Sequence, residues 1–278
     1  VQGLRSAHPL TLLLRAAGLS RSTFYYHLKA QCAADKYAGL KARIGAIYDR
    51  HKGRYGYRRI TSVLRQAGEL VNHKTVQRLM QTLGIKSLVR IKKYRSYRGD
   101  AGRIAPDLLK RQFEASGPNQ KWATDVTEFN VQGKKLYLSP VMDLYNGEIV
   151  AYQTEQRPVF GLVTKMLKKA FARLKPLDTP LLHSDQGWQY QQPAYRRLLD
   201  ERAVTQSMSR KGNCLDNAAM ESFFGTLKSE FFHLNRFENI EQLRAGIRQY
   251  IHYYNHHRIK LKLKGLSPVQ YRTQAFGP

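Results

Sequence analysis

Acidic residues are scarce in this chain: of 278 residues only 20 are Asp or Glu, against 47 Lys and Arg, which leaves a formal charge of +27 at pH 7. That imbalance argues against a cationic partner and points to a polyanion, nucleic acid before a membrane surface. Cysteine is nearly absent. Cys32 and Cys214 lie far apart, so neither a disulfide framework nor a Cys-rich zinc site is expected. His73 and the trio His252, His256 and His257 have no Cys pair at zinc-finger spacing and read as surface or phosphate-facing side chains. No apolar run approaches the roughly 18 residues of a spanning helix, and LTLLL at 10–14 is too short for a signal core. The chain reads as soluble and intracellular, and its 42% hydrophobic content can fill one large domain with a smaller appendage.

The N-terminal third is patterned for helices. In residues 1–34, TLLLRAAG closes at Gly18 and Ser20 can cap a second helix from Arg21, which gives a helical hairpin or a helix-turn-helix. In residues 35–88, Leu40, Ile44, Ile47 and Tyr48 mark one helical face, and Ile60, Val63 and Leu64 mark another. A third helix capped by Asn72 puts Val76, Leu79, Met80 and Leu83 on its apolar face and ends at Gly84. Its other face carries Lys74, Gln77 and Arg78, whose donors suit phosphates and base edges. This segment is read as a helix-turn-helix DNA-binding domain. Residues 89–115 are rich in Lys, Arg and Tyr without sustained period and read as a basic linker.

From residue 116 the pattern changes to strands. Lys121–Val131, Lys135–Leu144 and Ile149–Thr154, with turns at Gln132-Gly133 and Asn146-Gly147, predict an antiparallel meander. A helix over 161–174, a strand ending at Asp185, a helix over 193–202, a strand at 205–208 and a further helix complete an α/β domain over 116–236. Residues 237–278 are read as a C-terminal helical extension.

Three acids stand out against the basic background: Asp125 in WATDVTEF, Asp185 in LLHSDQGWQY and Glu221 in GNCLDNAAMESFFGTLKSE. An Asp on a first strand, an Asp at a later strand end and a Glu on a helix form the order in which a ribonuclease-H-like fold builds a two-metal phosphodiester site. Mg²⁺ takes few, hard oxygen ligands, and three carboxylates hold two ions if one bridges them. Asp125 is the natural bridge. Glu128, three residues on, should face the opposite side of the strand, and Asp143 reads as a structural acid. Lys228 shares the Glu221 face at i+7. The aperiodic basic stretch 207–217 reads as a mobile loop beside the site, with Arg210, Lys211, Asn213 and Asn217 as DNA contacts and Asp216 as a helix N-cap.

At these residues, together with YYNHHRIKLKLKGLSPVQY near the C-terminus, the chain resembles the DDE transposases of bacterial insertion sequences, specifically the insertion-sequence-three family. Their catalytic domain is similar to retroviral integrase, and the 35 residues between Asp185 and Glu221 match both groups. The resemblance implies an α/β, ribonuclease-H-like integrase core with an N-terminal all-α helix-turn-helix region and C-terminal helices. It also implies that Asp125, Asp185 and Glu221 are catalytic ligands of two Mg²⁺ ions, with Mn²⁺ as substitute, and that Lys228 contacts the element's end. The implied activity is metal-dependent cleavage and strand transfer at terminal inverted repeats. The implied partners are double-stranded DNA, further copies of the chain and an upstream-frame OrfA segment, in the bacterial cytoplasm at the nucleoid with no membrane. A non-catalytic DNA-binding regulator of transposition is the alternative of another class.

Overall fold

The computed structural model describes residues 1–32, 35–88, 105–210 and 214–276, and the chain divides into two compact units, Val1–Ile47 and Tyr48–Pro278. In the first unit α1 (Leu10–Ala16) stops at Gly18, whose φ of 61° suits a residue without Cβ. Ser20 Oγ then accepts from Thr23 N at 3.1 Å and so caps α2 (Arg21–Cys32). The next helix, α3, covers Ala38–Arg50.

The second unit holds α4 (Tyr57–Gln66) and α5 (His73–Thr82). Asn72 Oδ1 accepts from Lys74 N at 2.9 Å, and Val76, Leu79 and Met80 are buried as the spacing predicts. Within this unit α4 and the turn before it dock on the C-terminal part of the chain. Tyr55 Oη donates to His257 O and accepts from Ile259 N, while Gln66 Nε2 donates to Gly265 O.

The meander forms as expected, with β3 (Lys134–Asp143) antiparallel to β4 (Ile149–Glu155) and to a first strand on its other side. That first strand is interrupted: β1 (Lys121–Thr124) and β2 (Thr127–Val131) are separated by Asp125 and Val126. The register survives the break. Thr124 pairs with Val141 and Thr127 with Leu138, a step of three on both strands. Gln132 and Gly133 both have positive φ, 50° and 83°, which identifies the tight hairpin turn. Two parallel strands, β5 (Leu181–Ser184) and β6 (Thr205–Met208), extend the sheet beyond β1, with α6 (Phe160–Phe171) and α7 (Pro193–Asp200) in the connections.

The alternation of β1 and β2 divides the core in two. Trp122 and Leu182 pack with α6 and α7, whereas Ala123, Phe129 and Val131 pack with α8 (Ala218–Glu230) and α9 (Ile240–His256). Leu243, Ile247, Tyr250 and Tyr254 of α9 belong to that second cluster, and α10 (Pro268–Phe276) follows. Among the described residues no helix is long and apolar enough to cross a membrane.

One buried histidine makes stability pH-dependent. His51 stacks on Tyr55 with ring centroids 3.7 Å apart, its Nδ1 lies 3.1 Å from Tyr253 Oη, and burial, followed by the nearby Arg50 and Arg54, pushes its pKa down to about 4. The unfolded chain binds this proton below about 6.5 and the folded chain does not, so stability falls as pH drops from about 6.5 toward 4. His51→Phe keeps the stack without the titration. Urea midpoints between pH 7 and pH 5 are therefore expected to fall further in wild type than in His51→Phe, and an identical pH response in both would refute this account.

Candidate active site

Parallel pairing places the two aspartates side by side. β1 and β5 pair Lys121 with Leu181, Trp122 with Leu182 and Ala123 with His183. Two steps on from Ala123 and His183 the same register brings Asp125 beside Asp185 on one face of adjacent strands, whose spacing is ~4.8 Å. Each acid is the first residue past its strand, where the chain is free of ladder bonds. Asp125 Oδ1 accepts from Val126 N at 2.7 Å, and Asp185 Oδ1 accepts from Gly187 N at 2.9 Å. A Cβ at position 187 would stand 2.9 Å from that oxygen, so glycine is required there.

Glu221 arrives on the first turn of α8, which crosses the same face of the sheet. The buried Met220, Phe223, Phe224 and Leu227 fix the rotation of the helix and leave Glu221 partly exposed, as Asp125 and Asp185 are. Lys228 Nζ lies 5.3 Å from the centre of the Phe129 ring. Phe129 is four residues beyond Asp125, so it shares that face. Burial pushes the Asp125 carboxyl well above the usual range, the charges of Asp185 and then Glu221 add to the rise, and Val126 N–H and Lys228 oppose it. Asp185 is also raised, chiefly by burial. Tyr190 and Tyr195 are fully buried with their rings edge to face, and burial raises both phenols, with added rises from Asp125 and Asp185 at Tyr190 and from Asp185 at Tyr195.

Among the described residues no group of three His, Cys, Asp or Glu side chains forms a one-ion cage. The donor set suits a different arrangement, in which hard ions such as Mg²⁺ or Mn²⁺ keep several waters and take one or two carboxylates each. At Asp125 the charges of Asp185 and Glu221 add to burial in raising the carboxyl, a local excess of negative charge that such ions would relieve. Asp125, Asp185 and Glu221 are the residues able to hold them.

The other candidate residues separate into three groups. Lys74, Gln77 and Arg78 lie on the exposed face of α5. Lys211 and Asn213 lie outside the described residues. Arg210 and Asn217 are engaged within the protein: Arg210 Nε and Nη2 donate to Asp216, and the buried Asn217 donates from Nδ2 to Thr124 O at 3.3 Å, tying the start of α8 to the residue before Asp125.

Two structural acids resolve differently from each other. The N-cap position of α8 is Asn217, which makes no capping bond, and Asp216 is instead a buried ion-pair acceptor. It does not cap the helix because its oxygens are taken by arginines. Asp143 is structural as expected, fully buried and 2.6 Å from Arg272 Nη2. Glu128 is exposed and pairs with Lys135, away from Asp125.

Sequence reasoning missed His183 and Ser207. Ser207 Oγ accepts from Leu108 N and Leu109 N, so its own proton goes to His183 Nδ1, 2.9 Å away, on the strand that leads to Asp185. The signal available was parity, since His183 and Asp185 are two residues apart on one strand.

Three family descriptions match the chain: an HTH-like domain over residues 35–93 and an integrase core domain over 115–214 and 221–276. The chain is 57% identical over 275 residues to InsK of insertion sequence element IS150 from Escherichia coli (strain K12), covering 99% of this chain and 97% of that protein. It is 58% identical over 205 residues to a transposase-like protein of Haemophilus influenzae, covering 74% of this chain and 94% of that protein. With the transposase InsF for insertion sequence IS3A of E. coli (strain K12) it shares 36% identity over 232 residues, 82% of this chain and 80% of that protein. Among solved structures, the HTLV-2 integrase catalytic core domain in complex with magnesium aligns with a TM-score of 0.44 at 16% identity, over 56% of this chain and 98% of that one.

Proposed function

Because the chain belongs to the insertion-sequence transposases built on an integrase core, we propose that it cuts and joins DNA strands at its element's terminal inverted repeats, using Asp125, Asp185 and Glu221 around two Mg²⁺ ions. The observation that carries this reading is the parallel register that puts Asp125 beside Asp185, with the charge of Glu221 felt at Asp125. Asp125, whose carboxyl feels the charges of both Asp185 and Glu221, would hold the ions together with those two acids. When bound, the ions supply Lewis acidity at the scissile phosphate and lower the pKa of the attacking water or 3′-hydroxyl.

The protein's own groups do the rest. Val126 N–H and Gly187 N–H fix one oxygen of each aspartate, which leaves the other available to an ion. Lys228, on the Glu221 face, contacts the DNA at the element's end, and Phe129 beneath its ammonium limits where the side chain can go. Lys74, Gln77 and Arg78 on the exposed face of α5 read duplex DNA. Cleavage and joining at two ends require two such chains to act together, so the partners are double-stranded DNA, a second copy of this chain and the upstream-frame segment.

A strand-transfer assay tests this: labelled duplex ending in the element's inverted repeat, Mg²⁺, and a parallel reaction with EDTA. Joined products that vanish with EDTA are expected. No joining, with or without the upstream-frame segment, overturns the enzymatic reading in favour of a DNA-binding regulator. Lys228→Ala is expected to weaken binding to the inverted-repeat end by about 1–3 kcal/mol, the range of a specific contact, and to leave binding to unrelated duplex largely intact. Equal losses on both duplexes, measured by competition at fixed salt, would reduce Lys228 to a general phosphate contact.

A further inference from the structure

The first turn of α8 carries Glu221 and has no side-chain cap. A first turn without a side-chain cap lacks one of the usual holds on a helix start and frays more readily, which suits a metal-holding side chain poorly. The apolar face of α8 sets how the helix lies on the sheet, with Ala219 packed only partly buried against that core. The hold comes from the two residues before the helix. Asn217 is tied to Thr124 O, next to Asp125. Asp216, only 1% exposed, accepts four hydrogen bonds.

Three of those bonds come from Arg210, through its backbone N at 3.1 Å, Nε at 3.0 Å and Nη2 at 3.0 Å. The fourth comes from Arg111 Nε at 2.8 Å. Arg210, and then Arg111, hold the Asp216 carboxyl far below the usual carboxylate range, so it stays ionised. Arg111 belongs to a different part of the chain. It ends a strap, residues 105–112, that lies along the edge strand β6: Met208 N donates to Pro106 O, and Leu108 N and Leu109 N converge on Ser207 Oγ. Leu109 is buried and anchors the strap. From this strap Arg111 reaches the foot of the Glu221 helix.

We propose that Asp216 is a positioning residue for Glu221 and that the strap sets its hold through Arg111, so that the C-terminal part of the segment read as a basic linker is packed on the domain and forms part of the mounting of the active site. Asp216 touches neither DNA nor metal. It fixes the start of α8 along the helix axis and thereby the approach of Glu221 to Asp125. The inference rests on the assignment of Glu221 as a metal-holding acid, and the test keeps the two apart.

Asp216→Asn and Arg111→Gln are compared with wild type by two readouts on the full chain. One is strand transfer, resolved into rate at saturating DNA and half-saturating DNA concentration. The other is hydrogen–deuterium exchange in metal-free protein over residues 216–224, with 240–256 as an internal reference. For Asp216→Asn the saturated rate is expected to fall about 10–100-fold, the range for residues that orient metal ligands, with half-saturation unchanged. Exchange should quicken over 216–224 and stay constant over 240–256. Arg111→Gln should shift both readouts the same way by less, because Arg210 remains. Wild-type rate and exchange in Asp216→Asn overturn the proposal. If Asp216→Asn instead exposes 240–256 as well, the whole core has loosened and Arg111→Gln decides: its supporting result is faster exchange confined to 216–224, and unaltered exchange there overturns the proposal. If wild type itself joins no DNA, the reading of the three acids has failed, and the exchange measurement still decides whether Asp216 and Arg111 hold the helix.

Discussion

Asp125→Asn is expected to reduce strand joining on the order of 10³-fold or more, since ligand-held ions supply several kcal/mol of transition-state stabilisation and each factor of ten is ~1.4 kcal/mol. The substitution is isosteric, and an amide Oδ1 can still accept from Val126 N, so the strand end keeps its shape. What is lost is the charge shared between two ions. Duplex binding should be retained or strengthened, because one negative charge leaves a surface that faces phosphates. Undiminished Mg²⁺-dependent joining by this variant would remove Asp125 from the active site.

The same variant carries a stability signature. The folded-state pKa of Asp125 lies well above that of an unfolded Asp, so the metal-free fold is destabilised as pH rises above the unfolded-state pKa. Metal-free Asp125→Asn should therefore melt above metal-free wild type at pH 7. As pH falls through the folded-state pKa, wild type regains this stability and the gap narrows. Added Mg²⁺ should raise the melting temperature of wild type more than that of the variant.

The second large effect concerns Glu230, the last residue of α8. Its carboxylate is 3% exposed and receives Arg258 Nε at 2.8 Å, Arg258 Nη2 at 2.6 Å, Tyr250 Oη at 3.0 Å and Arg59 Nη1 at 3.4 Å. Burial alone would raise its pKa, but the bond and charge of Arg258, with Arg59 and Tyr250, outweigh it and leave the group lowered and ionised. Glu230→Gln leaves the buried Arg258 guanidinium without its counter-charge, which is expected to cost about 3–5 kcal/mol. A fall in the urea midpoint at unchanged slope measures it. The double variant Glu230→Leu/Arg258→Met removes both charges together and should recover much of that loss. A double variant no more stable than Glu230→Gln would mean that the network contributes beyond charge balance. Because Glu230 joins α8 to α9 and, through Arg59, to α4, the helix that ends in this network is the one that starts at Glu221.

Much of the site was readable in sequence because its parts are local. Asp125 and Asp185 each follow a short apolar run, Glu221 sits at the head of an amphipathic helix, and helix caps such as Ser20 and Asn72 depend only on neighbours two or three residues away. Asp216 was misread for the same reason. Its position before a helix is a local cue for a cap, whereas its partners are Arg210, six residues back, and Arg111, 105 residues away in sequence, and nothing local signals a bond of the longer range. Asn217 and Arg210 likewise have internal partners, Thr124 O and Asp216, that no local cue signals.

Sequence by itself determined the net positive charge and the type and order of most elements, and it singled out the three acids as candidates, because composition and the 2.0 and 3.6 residue periods are properties of the chain alone. Tertiary structure decided which acids meet. The strand carrying Asp125 stays in register with β3 across a two-residue break, parallel pairing sets Asp125 beside Asp185, and the strap and α4 become supports of α8 through Arg111 and Arg59. Such pairings are fixed by burying two faces of one sheet and by neutralising buried carboxylates, demands that arise only once distant segments share an interior.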